Sequence, residues 1–182
     1  KLFADNGVEV PATWDELKGA CETFSAAGVL PIALGMADGH DLLINGEAAM
    51  YLHGSWFMGY ANDNGAVAEV DYDFFEFPVI DEGVPTAVVG PVDGWVMAAE
   101  GANSEGAMEM LAYLSKPDVQ LAWSQVQGNI PTNTTSDMSQ VDNIIKRAAE
   151  VAAAAETYNF NYDLATPDAA AVIGLAMFQE FV

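Results

Sequence analysis

The chain is poor in positive charge. Five lysines and arginines stand against 27 aspartates and glutamates in 182 residues, a formal net charge of −22. Phosphate neutralisation needs basic side chains, so this balance argues against nucleic acid as a partner. It argues equally against an anionic membrane surface. Cysteine is almost missing: Cys21 is alone, which removes a disulfide framework and a cysteine-based metal site. Its position inside an expected helix also removes it as an N-terminal lipid-attachment residue. No apolar run is long enough to span a bilayer, so no direct membrane insertion is expected. The chain opens at Lys1 without a signal peptide, as it would after processing or as an excerpt. GxSxG, HExxH and a Walker loop are absent too, and no cofactor is signalled.

What is present is a real core. Apolar residues make up 52% of the chain, enough for one or two small domains. The acids are scattered along the whole length, not gathered in a tail, and the apolar content is far too high for a disordered acidic region. Such a surface stays soluble by self-repulsion that salt screens. A saline, halophilic source is the reading favoured here; an ordinary acidic extracellular protein is the other.

The most informative stretch runs from Asn45 to Tyr60. Asn45-Gly46 is a turn dipeptide, and Ala48 to Leu52 reads as a short buried strand. Gly54-Ser55 breaks it, with Ser55 placed to cap a helix starting at Trp56. An indole there sits just beyond the carboxyl end of a strand, where open α/β sheets collect ligands. A plain core role for Trp56 is the competing reading.

Upstream, Thr13-Trp14-Asp15-Glu16 is a capping box. The helix it opens carries Trp14, Leu17, Cys21 and Phe24 at helical spacing and stops at Gly28. Trp14 is expected to pack that helix on the sheet. Val29 to Leu34 reads as a buried strand, and Gly35 to Asp41 as a polar loop bearing His40. Downstream, Val70 to Phe77 alternates and reads as a strand ending at Pro78. Val88 to Ala99 places apolar runs on both sides of Gly90-Pro91-Val92-Asp93-Gly94. Asn103 caps a helix, Pro117 opens another, and Gln140 to Glu156 is an alanine-rich helix. Thr157 to Pro167 is an aromatic loop before a final helix from Thr166 to Val182. Asn133-Thr134-Thr135 is a glycosylation sequon of low specificity. His40 and His53, with Asp38 and Asp41, lack the spacing of a metal motif, so no metal is expected.

Several of these stretches resemble the extracellular solute-binding proteins that feed carbohydrates to ABC transporters (family 1, maltose-binding-protein-like). Asn45 to Trp56 resembles that family's "NGkAAM…GsW" segment, and Lys1 to Gly35 its opening αβ block. Gly90 to Ala99 resembles the crossover between its lobes, and Gly128 to Asn133 its "g.iPan" loop. The resemblance implies an α/β, periplasmic-binding-protein-like (type II) fold, here incomplete, with a mixed sheet flanked by helices. A first lobe and a helical segment after Asp41 are missing relative to the family pattern. The implied organisation is 1–89 as a second-lobe-like αβ segment, 90–140 as crossover strand and helix pair, and 141–182 as C-terminal helices.

The same resemblance nominates the ligand contacts. Trp56 inherits the sugar-stacking tryptophan, Asp93 and Trp95 match the "dgw" that faces the cleft, and His40 holds the place of a loop residue that reaches the ligand. Asn133, Tyr162 and Asp163 lie on loops that border the cleft in relatives. The chemistry suits a sugar: a carboxylate accepts hydroxyl protons, and an indole face matches the C–H face of a pyranose. The implied partners are a mono- or oligosaccharide and the membrane subunits of an ABC transporter, and the implied location is extracellular, periplasmic or on the cell surface. Two rival readings stand beside this one. A glycoside-cleaving enzyme would need a carboxylate pair at set separation, and no motif marks one. A shortened, non-binding interaction module would expose apolar surface.

Overall fold

In the computed structural model, residues 1–35, 37–161, 165–167, 170 and 172–174 are described. The first of these form an αβ unit. A single-turn helix α1 (Leu2–Asp5) precedes the capping box. The Thr13 hydroxyl accepts from the Glu16 amide at 3.3 Å, and the Glu16 carboxylate accepts from the Ala12 and Thr13 amides at 2.8 and 3.0 Å. These bonds satisfy donors that a helix start leaves open and launch α2 (Trp14–Ala26). The helix turns Leu17, Ala20 and Phe24 inward against Met50. Phe24 is fully buried, worth about 1.5–3 kcal/mol of apolar transfer. Gly28 adopts φ +76°. The amide of Val29 then donates to the Phe24 carbonyl, and that of Gly28 to Ser25, the left-handed stop that turns the chain into the sheet.

Strands β1 (Leu30–Ala33) and β2 (Ala48–Tyr51) pair in parallel, Leu30 opposite Ala48 and Ile32 opposite Met50. Parallel neighbours need a crossover, and it is made by α3 (Ala37–Ile44). Here the structure corrects the sequence reading, since His40 and Asp41 sit on a helix and not in a loop. The helix forms because it carries Leu43 and Ile44 onto the buried cluster of Phe57, Ala61 and Ala66. Trp14 is partly exposed, with its ring 6.2 Å from that of Phe77.

After β2 the chain turns a corner into α4 (Phe57–Asp63). Ser55 does not cap it. Trp56 holds the cap position in helical backbone conformation without a side-chain bond, and the amides of Phe57 and Met58 donate to the carbonyls of Gly54 and Ser55. The tight first turn satisfies its own donors, leaving the serine hydroxyl nothing to cap. The stretch expected as a strand from Val70 to Phe77 is irregular. Its alternation is real: Phe74 packs on the Met58–Ile145 cluster and Phe75 on the Phe24 cluster. It lacks a neighbouring ladder, and only single bridges at Ala68–Tyr72 and Thr13–Val79 flank it.

Strand β3 (Ala87–Val89) is short, and residues 90–98 run on without regular pairing. The helices α5 (Ser104–Leu114) and α6 (Pro117–Gln127) follow, the first capped by Asn103 and the second opened by Pro117. A 3-10 turn at Met138–Gln140 precedes α7 (Asn143–Ala154), which buries Ile144 and Ile145. Strand β4 (Thr157–Asn159) then pairs in parallel with β3, so part of the expected aromatic loop is a strand. Both sheets among the described residues are two-stranded and parallel, with the helices around them. The expected final helix falls mostly outside the described residues, where Val172 to Gly174 are helical.

Candidate functional site

The corner between β2 and α4 presents an indole. Trp56 is 42% exposed, and its ring folds back over Gly54. A Cβ on that glycine would meet the ring at 2.0 Å from Cζ3 and 2.2 Å from Cη2. Gly128 closes the corner from the other side, at φ +74° in the turn that ends α6, with the Ser55 carbonyl 2.7 Å from where its Cβ would stand. The helix end, the strand end and the indole are thus locked by two glycines whose missing side chains leave the room.

Behind Trp56 lies a continuous cluster of rings. His53 meets Trp56 edge-on at 5.1 Å between centroids, His40 meets His53 at 4.8 Å, and Tyr60 and Tyr51 lie 4.3 and 5.3 Å from His40. Phe57 and Tyr72 extend the cluster into the core. The Tyr72 hydroxyl is buried there without a hydrogen-bond partner among the described residues, whereas other polar atoms of the cluster are paired. His40 Nε2 and His53 Nε2 are 3.2 Å apart, His53 Nδ1 lies 3.2 Å from the Gly54 carbonyl, and the Tyr60 hydroxyl donates to Asp41. Burial pushes His40 below its ordinary imidazole range, helped by neighbouring His53 and opposed by Asp41. The Asp41 carboxylate, through that hydrogen bond first, pushes Tyr60 upward.

A broad, half-open hollow of about 2270 Å³ runs along the molecule from the α1 end to Tyr158, and His53, Tyr51, Phe57 and Tyr72 of the ring cluster line it too. Trp56, Asp93 and Trp95 all line it, as does Trp123 from α6. Trp95, on the irregular stretch after β3, is 71% exposed and Trp123 52%, so the three indoles that border this extended hollow are all partly open to solvent. A large exposed apolar surface rimmed by polar groups is the usual form of a ligand site. The other residues nominated from the sequence lie elsewhere. His40 does not line the hollow but stands behind Trp56 in the ring cluster. Asn133 is also off its lining; its amide donates to the Ser115 carbonyl at 2.7 Å and accepts from the Thr135 amide and hydroxyl. Tyr162 and Asp163 lie outside the described residues.

The sequence does not single out Trp123, and His53 enters there only as a residue without metal-motif spacing. Trp123 sits on an amphipathic helix where an indole reads as core, and no periodicity says which way the helix faces once packed. His53 and His40 are separated in the chain by the crossover helix and β2, and only the parallel pairing brings them together. No group of three or more metal-ligating side chains occurs among the described residues.

Residues 1–155 match the bacterial extracellular solute-binding protein family, and the chain belongs to that family. An uncharacterized ABC transporter extracellular-binding protein of Pyrococcus horikoshii is 29% identical over 116 residues, 64% of this chain and 25% of that protein. Among solved structures, one from work on xylan utilization by the thermophilic bacterium Caldanaerobius polysaccharolyticus is similar at a TM-score of 0.80 and 20% identity. It is matched over 93% of this chain and 61% of its own. The bacterial solute receptor AcbH, described as having an exclusive preference for β-D-galactopyranose, is similar at a TM-score of 0.75 and 18% identity, over 99% of this chain and 62% of its own. A chitin oligosaccharide binding protein follows at 0.68 and 20%, over 89% and 57%. The chain therefore spans a quarter of the curated relative and about three fifths of the solved neighbours. These likenesses establish the incomplete type II binding-protein fold. No helix of the described residues is long and apolar enough to cross a membrane.

Proposed function

We propose that this chain holds a carbohydrate, a mono- or oligosaccharide, for delivery to the membrane subunits of an ABC transporter. The observation that carries the reading is that Trp56, Asp93 and Trp95 all border one broad hollow. An indole lays its face on the C–H face of a sugar ring, and a carboxylate beside it accepts two hydroxyl protons, so stacking and hydrogen bonding act on the same ligand. Closing the hollow around the sugar strengthens both by removing water. Sugar binding in two of the solved neighbours supports the choice of ligand class. The protein acts by capture and release outside the cell membrane, in a periplasm or at a cell surface, and makes or breaks no bond. Its charge of −22 suits a saline medium.

The test is titration calorimetry in high salt against xylo-oligosaccharides, galactose and chito-oligosaccharides, repeated with Trp56→Ala. Saturable binding that weakens about ten- to thirty-fold in the variant, a loss of roughly 1.4–2 kcal/mol, supports the reading. Binding to none of these, or affinity unchanged by the substitution, counts against it. Chromatography of the sugars after incubation separates the carrier from the glycoside-cleaving enzyme, which alone would yield shortened products.

A further inference from the structure

The two histidines of the chain occupy a position that sequence alone does not show. His40 stands on α3 and His53 at the end of β2, yet their Nε2 atoms face one another at 3.2 Å. The proton placement follows from the third partner. His53 Nδ1 lies 3.2 Å from the Gly54 carbonyl, which only accepts, so Nδ1 carries a proton and neutral His53 presents a bare Nε2. His40 Nε2 must then be the donor of the pair. The Gly54 carbonyl at the end of this chain also receives the Phe57 amide that opens α4, and Gly54 is the residue over which the Trp56 indole folds. The His53 ring touches that indole directly.

We infer that His40 and His53 form a proton-linked pair that positions the Trp56 indole. The hydrogen bond survives with the pair neutral or carrying one added proton, and breaks when both rings are protonated. One added proton goes to His40 Nδ1, leaving the Nε2 donor in place. A second must go to His53 Nε2, which sets two N–H groups and two positive charges against each other. His53 then swings away from His40 and takes with it the ring on which the edge of Trp56 rests. Among the described residues, the charged and titratable groups at the pair are Asp41 on α3, Tyr51 on β2 and Tyr60 on α4. Asp41 favours the first proton on His40, while burial and the neighbouring ring oppose it. Acidification therefore adds two protons in turn, and only the second frees the indole. The link from indole to sugar affinity rests on the proposed carbohydrate reading; the pair itself does not.

The experiment is an NMR pH titration of the isotopically labelled chain without sugar. It follows the Cε1–H signals of both histidines and the indole N–H of Trp56, assigned by its loss in Trp56→Phe. Two coupled histidine steps are expected, with the Trp56 signal following the one at lower pH. In His40→Gln the remaining histidine should titrate as a simple curve and the Trp56 response should disappear. Two independent histidine curves with one shared midpoint would overturn the inference. So would a Trp56 response that persists in both His40→Gln and His53→Gln. The wild-type titration decides the coupling even where a variant folds poorly. Because no sugar is present, failure here leaves the carbohydrate reading untouched, and failure of the sugar screen leaves this pair untouched.

Discussion

The indole of Trp56 lies on the space that a side chain at Gly54 would fill. A Cβ at that position would approach Trp56 Cζ3 to 2.0 Å, far inside any contact distance. Gly54 is not in left-handed conformation, so its requirement for glycine comes from the ring above it and not from the backbone. The residue two positions before the indole thus decides where the indole lies.

Gly54→Ala should therefore displace the Trp56 ring while leaving the fold intact, because the clashing atoms are the far end of a side chain that can rotate outward. Sugar affinity is expected to fall about as far as in Trp56→Ala, roughly ten-fold or more. Circular dichroism and the thermal midpoint should move little. Calorimetry on the variant beside its melting curve checks both parts.

Gly128→Ala should behave in the opposite way. The backbone there is left-handed, and a Cβ would stand 2.7 Å from the Ser55 carbonyl and 2.8 Å from the Met58 Cβ. Neither neighbour can rotate away, since one is backbone and the other is a buried stem. A loss of about 2–4 kcal/mol is expected, a drop in melting temperature of about 4–16 °C for a chain of this size. Scanning calorimetry measures it.

Acid should destabilise the chain in two windows. The folded state holds His40 below its ordinary value of 6.5, first through burial and then through His53. The unfolded chain binds that proton more readily, so this contribution is present above pH 6.5 and is lost as pH falls below it. Glu16 is held below 4.5 by the amides of Ala12 and Thr13. Its contribution is present above 4.5 and is lost as pH falls through the lowered value. In urea melts across pH, His40→Gln should flatten the first window and Glu16→Gln the second, each relative to the wild type.

Salt should stabilise. With 27 acids against five bases and only two ion pairs among the described residues, Lys18–Asp15 and Arg147–Asp73, the net electrostatic effect of folding is self-repulsion. Screening shortens its reach from about 10 Å at 0.1 M to about 3 Å at 1 M. The melting temperature should rise steadily as sodium chloride increases over that range. A flat or falling curve would count against the saline reading.

Much of the local structure could be read directly. The Thr13–Glu16 box, the left-handed Gly28, the Asn103 cap and Pro117 at a helix start each formed as their residue types require, because caps and stops are settled within a few positions of the chain. The strand expected over Val70 to Phe77 failed for a reason of the same kind. Alternation marks side chains that turn inward, and Phe74 and Phe75 are partly buried against two different clusters, but a ladder needs a neighbour that alternation does not supply. Ser55 failed as a cap because the tight turn beside it had already used the free amides.

The amino-acid sequence by itself determined the charge, the caps, the apolar stripe of α2 and the residue types suited to a sugar, because each depends on neighbours three or four positions away. Only the tertiary structure decided which of those residues meet. The parallel pairing of β1 with β2 brings His40 behind Trp56 and away from the hollow. The packing of α6 against the β2–α4 corner brings Trp123 to the space that Trp56 and Trp95 share. Such meetings are set by the direction in which whole elements pack, and no short-range pattern in the chain carries that direction.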